Sequence, residues 1–301
     1  MKYLITGGAG FIGSNLIDEL ILRGHEVRVI DNFDTGLRAN LHPQAEFFEA
    51  DICDAEKTKP LFNGLDGVFH VAAMARVQRS IENPRQTHET NILGTLNVLL
   101  AARDSGVKRV VYSASASAYG DQEVLPLRED MPTKPLNPYG LQKFVGEEYC
   151  KLFSSLYSLE TVSLRYFNVY GPKMLLDGPY ATVIGIFIRE RKGGRPLTIF
   201  GKGEQTRDFT HVRDVLRANI LAMESASVGQ GEIINIGGGN NISVNQIASM
   251  IGGNTVYLPA QPGEILHSRA DITKAKNLLG WEPTVRFEEG LRELKRIHGL
   301  E

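Results

Sequence analysis

Apolar residues in the first half of the chain come in short runs that alternate with stretches of helical period. Tyr3-Leu4-Ile5 leads straight into glycines and predicts a strand. Beyond the glycines, Ile12, Leu16, Ile17, Leu20 and Ile21 recur at helical spacing, and Gly24 closes the pattern. His25–Ile30 predicts a second strand, with Val27 and Val29 alternating, and Glu46–Ala50 a further one. Val68–Ala73 is apolar almost throughout and reads as a strand interior to a parallel sheet. From about His88 to Ser105 the pattern is helical, ended by Gly106. Val107–Ser113 is then a strand, Tyr139–Tyr157 a long helix entered through Asn137-Pro138, and Thr161–Phe167 a strand again. Strands and helices in regular alternation, with short joints, imply a parallel sheet covered by helices on both faces.

Past Tyr170 the rhythm loosens. Pro172, Gly178 and Pro179 mark a loop, Val183–Glu190 a helix, Leu197–Phe200 a short strand and Ile233–Ile236 one more core strand. From Ser243 the tail reads as short helices and turns, with Trp281-Glu282-Pro283 near its end. The expected fold class is α/β, a doubly wound parallel sheet with a smaller C-terminal α/β lobe of non-contiguous segments. A cleft between the lobes would take a small molecule.

Composition adds mainly exclusions. Of 301 residues, 42% are hydrophobic and 23% charged, proportions that rule out a disordered chain. Lys and Arg number 33 against 35 Asp and Glu, a net charge of −2, which gives no general attraction to nucleic acid or to anionic membrane. Two cysteines, Cys53 and Cys150, cannot build a disulfide framework or a four-cysteine zinc site. They read as buried thiols in a reducing cytoplasm, and no metal is expected. The opening MKYLITGG is a strand running into a glycine turn rather than a basic and then apolar leader. No run of about 18 apolar residues is present to cross a membrane.

The candidate chemistry gathers at strand ends. Thr6–Ser14 reads TGGAGFIGS, with Gly7, Gly10 and Gly13 spaced G-x-x-G-x-x-G between a strand and an amphipathic helix. Such glycines let backbone N–H groups approach a pyrophosphate at a helix N-terminus, although a glycine turn can also serve packing alone. Asp31 ends the second strand, where an acid accepts hydrogen bonds from adenosine ribose hydroxyls and repels a 2′-phosphate. NAD is therefore expected over NADP, with Arg38 a nearby basic residue pulling the other way. Asp51-Ile52 suits an adenine amino group and its flat face, or is simply a strand-end acid. Tyr139 and Lys143 stand four apart at a helix start, on one face. A phenol has a reference pKa of about 10, and a neighbouring ammonium favours its phenolate. The pair could then take a proton from an alcohol, although a Tyr and a Lys at this spacing also occur as a plain surface pair. Ser115, in the serine cluster of VVYSASASAYG, could hydrogen-bond the reacting oxygen beside Tyr139 or cap a turn.

In combination these motifs resemble the extended short-chain dehydrogenase/reductases, in their nucleotide-sugar epimerase and dehydratase branch. The likeness runs the length of the chain: TGGAGFIGS, DNFDTG, the DI pair, HVAA, the N-x-x-G-T of Asn91–Thr95, SASASAYG, YGLQK, RYFNVYGP, GEQTRDFTHVRDV, INIGGG and LGW. The resemblance implies a Rossmann domain at residues 1–167, with about 211–237 returning to it, and a nucleotide-sugar lobe at 168–210 and 238–301. It implies a catalytic triad of Ser115, Tyr139 and Lys143, with Lys143 also holding the nicotinamide ribose. NAD would be lined by Gly7, Gly10, Phe11, Ile12 and Gly13, then by Asp31, Asn32, Phe33, Thr35 and Gly36. Asp51, Ile52, Val71, Ala72, Ala73, Ala75, Asn91, Ser113, Tyr166 and Phe167 complete that set. A UDP-sugar would meet Arg79, Ser115, Ser117, Tyr139, Asn168 and Val183 on one side. Thr198, Phe200, Arg207, Gln261, Glu264 and Ser268 would meet it on the other. As a bare feature, Arg207 could instead pair with Asp208 or Asp214.

The family's dehydratases carry Asp-Glu where this chain has Ala116 and Ser117, and its decarboxylases carry Glu at the position of Ser117. The resemblance therefore points to reversible oxidation at the sugar's C4, that is, to a 4-epimerase of UDP-glucose and UDP-galactose. Ser268 matches the family position that walls the sugar's 2-substituent, and a small residue there leaves room for UDP-GlcNAc and UDP-GalNAc. Gln261 stands where the family usually has a diphosphate-binding Arg, a loss of a charge-assisted contact that Arg269 could offset. The alternative is an epimerase or modifying enzyme of the same family acting on another NDP-sugar, such as a UDP-glucuronate 4-epimerase. A non-catalytic NAD sensor is disfavoured by the intact Tyr139 and Lys143, and an NADP-releasing reductase by Asp31. The resemblance also implies a homodimer through helices near Asn91–Ser105 and Leu141–Tyr157, although burial against the chain's own sheet would explain the same apolar residues.

Overall fold

The structure, a computed structural model, describes residues 1–178, 181–260 and 266–300. Six strands, β1 (Lys2–Thr6), β2 (Glu26–Asp31), β3 (Glu46–Glu49), β4 (Gly67–His70), β5 (Arg109–Ser115) and β6 (Glu160–Tyr166), join the strand Gln230–Ile236 in one sheet. All its pairings are parallel. The order across it is Gln230–Ile236, β6, β5, β4, β1, β2, β3. The chain steps outward from β1 to β3, then crosses back to β4 on the other side. Thr6 at the end of β1 is thus flanked by Ile30 and His70, and a crevice opens above these strand ends, where α/β sheets of this order bind ligands.

Each face of the sheet buries its own core. On one side the helices Phe11–Leu22 and Val212–Glu224 pack over Ile5, Val29, Phe69 and Val111, with Trp281 beside them. On the other, the helices Thr95–Asp104 and Pro138–Tyr157 bury Leu99, Cys150 and Phe153 against Leu4, Val68 and Val110. A third apolar cluster lies outside the sheet. It joins the helices Val183–Lys192, Val244–Ile251 and Phe287–Ile297 to the strand Leu197–Phe200, which pairs in parallel with Thr255–Leu258. This is the smaller α/β lobe. The tail is pinned to the sheet side by Asp214, whose backbone carbonyl accepts from Trp281 Nε1 at 2.9 Å and whose carboxylate accepts from the Thr284 and Val285 N–H groups.

Some expected elements differ in outline. β4 stops at His70 instead of running to Ala73, because the backbone turns out of the ladder to pass Gly7. Ala72 N donates to the Thr6 side chain at 3.2 Å there. The helix expected from His88 starts at Pro84, under an Asn83 cap, and widens into a π turn over Glu89–Gly94. The wide turn carries Asn91 inward to Met74, and Gly94 lies so close to Ile52 that a Cβ would come within 2.6 Å of its Cδ1. The helix Val212–Glu224 and the strand Thr255–Leu258 were not anticipated. All four residues of that strand are exposed, so it has no inward-outward alternation to read.

Candidate active site

The glycine loop is shaped by contact as well as by conformation. Gly7 has φ +72°, and a Cβ on it would lie 2.7 Å from Ala72 Cα; on Gly13 it would lie 2.3 Å from the Gly7 carbonyl oxygen. Side chains at either place would push the loop off the sheet. Gly10 caps the helix Phe11–Leu22 without any side-chain hydrogen bond, and no acid stands in the first turn. The amide groups and the positive end of the helix dipole are thus available to an anion.

Asp31 lies at the next strand end. Its carboxylate accepts from Ala9 N at 2.9 Å and Phe33 N at 2.8 Å. Burial pushes its pKa above the ordinary value against those two hydrogen bonds. Each oxygen keeps a lone pair for a ligand hydroxyl. Asp51 accepts from Cys53 N and from the Asn32 amide, both at 2.8 Å. Burial pushes this carboxyl up, but the hydrogen bonds from Cys53 and Asn32 outweigh it, and it ends below its usual range. Arg38 is committed elsewhere: it pairs with Glu49 at 2.5 Å and lies 4.2 Å over the Phe33 ring.

At the centre, β5 ends on Ser115. Its Oγ accepts from Ser117 N at 3.2 Å and donates to Ser117 Oγ at 3.1 Å; it also hydrogen-bonds the Tyr139 phenol. Ser115 therefore both caps the turn and faces the tyrosine. Tyr139 enters the long helix just after Pro138. Asn137 caps that helix through Gly140 N, and Tyr139 N donates to Ser80 Oγ at 3.1 Å. One turn on, Lys143 Nζ donates to the Ser113 carbonyl at 2.8 Å and sits 4.8 Å from the centre of the Tyr112 ring. Gly146 makes that approach possible, since a Cβ there would come within 2.3 Å of the Tyr112 hydroxyl. Burial pushes the Tyr139 phenol above its ordinary value, while the Ser115 hydrogen bond and the positive charge of Arg76 pull it back. Burial lowers Lys143 to about 7. Burial outweighs the charges around the tyrosine in this structure.

A single cavity of about 870 Å³ runs past these groups. On the cofactor side it is lined by Gly7, Gly10, Phe11, Ile12, Gly13, Asp31, Asn32, Thr35, Asp51, Ile52, Val71, Ala72, Ala73 and Ala75. Ser115, Ser117, Tyr139 and Tyr166 line its middle, and Asn168, Val183, Thr198, Phe200, Arg207 and Ser268 its far end. Arg207 donates to the backbone carbonyl of Thr206 at 2.9 Å, and Asp208 and Asp214 are engaged with backbone groups instead.

Seven expected residues stand behind this wall. Arg79 makes a two-pronged contact with Asp34 at 2.8 and 3.1 Å. Phe33 stacks against Phe47 and under Arg38, and Gly36 packs on Ala9. Asn91 is tied to both backbone polar groups of Met74 and to Gln142. The Ser113 hydroxyl bonds Tyr166, while its carbonyl holds Lys143, and Phe167 is fully buried. Gln261 and Glu264 lie outside the described residues. Met74, Arg76, Phe187, Gln205 and Phe209 also line the cavity and went unnoticed, since none of them belongs to a motif whose spacing would give it away. Among the described residues, no group of three or more His, Cys, Asp or Glu could hold a metal ion, and no helix is long and apolar enough to cross a membrane.

Comparison with known proteins was consistent with this geometry. A model of the NAD dependent epimerase/dehydratase family matches residues 3–237. The UDP-glucose 4-epimerase of Thermotoga maritima, solved with UDP-glucose, is 40% identical over 100% of both chains, with a TM-score of 0.95. The UDP-N-acetylglucosamine 4-epimerase of Methanobrevibacter ruminantium, in complex with UDP-N-acetylmuramic acid, is 36% identical over 97% of this chain and 96% of that one, with a TM-score of 0.92. The UDP-glucuronic acid 4-epimerase of Bacillus cereus, in complex with UDP-glucuronic acid and NAD, is 33% identical over 99% and 100%, with a TM-score of 0.89.

Proposed function

The chain belongs to the NAD dependent epimerase/dehydratase family, and from that premise we propose that it interconverts the C4 epimers of UDP-hexoses, UDP-glucose with UDP-galactose and UDP-GlcNAc with UDP-GalNAc. The observation that carries this reading is where the acids stand. Among the described residues, those lining the cavity are Asp31, Asp34 and Asp51, all at its β2 and β3 end. Beside Ser115 and Tyr139 the wall offers Ala116 and Ser117, which cannot move the second proton that elimination requires. Proton transfer at one hydroxyl remains.

NAD would lie with its pyrophosphate at the start of the helix Phe11–Leu22, its adenosine ribose on Asp31 and its adenine by Asp51 and Ile52. Bound there, NAD supplies a reversible two-electron acceptor for the hydrogen on C4. Tyr139 takes the C4 hydroxyl proton and returns it, with Ser115 hydrogen-bonded to the same oxygen. Lys143, held by the Ser113 carbonyl behind them, would hold the nicotinamide ribose. Inversion requires the oxidised sugar to present its other face before the hydrogen is returned to C4. Asn168, Arg207 and Ser268 line the end where the nucleotide diphosphate and the sugar's 2-substituent would lie. Ser268 is small, which favours acceptance of the acetamido sugars. UDP-glucuronate stands as a second reading, because Arg76 lines the same cavity and its charge reaches Tyr139, an arrangement suited to a carboxylate on C6. The unpaired Cys53 and Cys150 suit a cytoplasmic enzyme, and exposed leucines on the helix Pro138–Tyr157, with Leu93 on the π turn before Thr95–Asp104, suit a homodimer.

The test is to incubate the purified protein, with no added oxidant, with UDP-glucose, UDP-GlcNAc and UDP-glucuronate in turn and follow C4 inversion by NMR. Inversion of the first two, lowered about 10²–10⁴-fold in Tyr139→Phe, is the expected result. No inversion of any, or a Tyr139→Phe protein as fast as the parent, would overturn the reading.

A further inference from the structure

Glu147 has no part in the chemistry above, yet its side chain is wholly buried. It follows Lys143 by one helical turn on the same face of Pro138–Tyr157, so their side chains are neighbours. Its carboxylate receives both prongs of Arg165, from Nε at 2.8 Å and from the terminal nitrogen at 2.6 Å. Arg165 is itself almost fully buried on β6 and lies 4.4 Å over the Tyr119 ring. A carboxylate held this way ties the helix bearing Tyr139 and Lys143 to β6 and to the turn after Ser115.

We propose that Glu147 is a positioning residue: it holds Lys143 in its cationic form and fixes the catalytic helix against β6. This rests on the reading of Lys143 as a member of the reacting group. Glu147 is the first of the groups that favour the cationic Lys143, and Cys150 follows it. Cys150 and Tyr139 share its helix, and burial pushes the Cys150 thiol up to about 12. Tyr112 on β5 is raised well above its usual value by burial. His70 on β4 is driven down to about 3 by burial and then by Lys143 itself, and is neutral. Burial drives Lys143 toward its neutral form, and Glu147 opposes that most; burial raises Glu147 itself, and Arg165 draws it back down.

The experiment follows Lys143 directly. Protein labelled with ¹³Cε-lysine, its Lys143 signal assigned with Lys143→Arg, is titrated by NMR as parent, Glu147→Gln and the double variant Glu147→Leu/Arg165→Met. The alkaline limb of kcat against pH is measured in parallel. Loss of the carboxylate should move the Lys143 titration down by at least one pH unit in both variants. The alkaline limb should move with it, while KM changes less than about twofold. The double variant leaves no unpaired buried arginine, so it keeps the test open if Glu147→Gln fails to fold. An unshifted Lys143, or a double variant that restores the parent titration, would overturn the proposal and leave the pair a structural tie. A shifted Lys143 in a protein with no epimerase activity would support the proposal while removing the functional reading.

Discussion

Thr6, His70 and Thr95 hold one another in a single proton arrangement. Thr95 Oγ1 donates to the Asn91 carbonyl at 2.7 Å, so it must accept from His70 Nε2 at 2.9 Å. His70 Nδ1 then accepts from Thr6 Oγ1 at 2.7 Å, and Thr6 in turn accepts from Ala72 N. This chain links the backbone beside Gly7 to the π turn through a histidine that burial keeps neutral, with a pKa of about 3. The unfolded chain takes up a proton near pH 6.5 that the folded protein refuses down to about 3. Stability should therefore fall as pH drops through that window, by about 1.4 kcal/mol per unit. His70→Gln should remove that share of the acid sensitivity, read as the difference between the two proteins in urea midpoints from pH 7 to pH 4. An unchanged slope would contradict the assignment. None of this was legible in the sequence, where His70 is one polar residue inside an apolar run. Asp31, Ser115 and Tyr139 were legible because each ends or begins an element whose pattern is strong.

Among elements, the segments of the smaller lobe are joined by one carboxylate. Asp208 accepts from Gly238 N at 2.7 Å, Gly239 N at 3.2 Å and Ala270 N at 2.9 Å, and burial raises it to about 6 despite those bonds. It thereby ties the loop after the strand Gln230–Ile236, and the segment carrying Ser268, to the strand carrying Arg207. Asp208→Ala leaves these N–H groups without an acceptor, at about 1–3 kcal/mol for each that stays buried. We expect a loss of about 2–4 kcal/mol in denaturant unfolding and a KM for the nucleotide-sugar that rises more than kcat falls. Asp208→Asn, which keeps an acceptor, should fall between. As a bare feature of the sequence, Arg207 could pair with Asp208 or Asp214. In the fold Asp208, just past the strand Thr206–Arg207, is turned to backbone amides while Arg207 lines the cavity.

At the scale of the whole molecule, the sheet order sets the position of the cavity, and the helices on one face leave an apolar surface. Leu141 and Leu152 of the long helix are about half exposed, Leu156 is 65% exposed, and Leu93 lies on the adjoining π turn. Covering such leucines against a second copy would contribute roughly 1.5–3 kcal/mol for each one fully buried. Leu152→Glu/Leu156→Glu should therefore shift the protein from dimer to monomer in sedimentation velocity; a parent that is already monomeric would end the dimer proposal. The alternation of strand and helix, the glycine turn, the capped entry to the helix Pro138–Tyr157 and the Tyr139–Lys143 pair were all open to reading along the chain. Each depends on residues a few positions apart, whose spacing maps directly onto strand or helix geometry. What the tertiary structure alone decided lies between distant residues: Glu147 on Arg165, His70 between two threonines, Asp208 on Ala270, and the helix pair's uncovered leucines. Hydrophobic period records which side chains turn inward, but which partners they meet there depends on how the elements cross, and a linear pattern does not encode that.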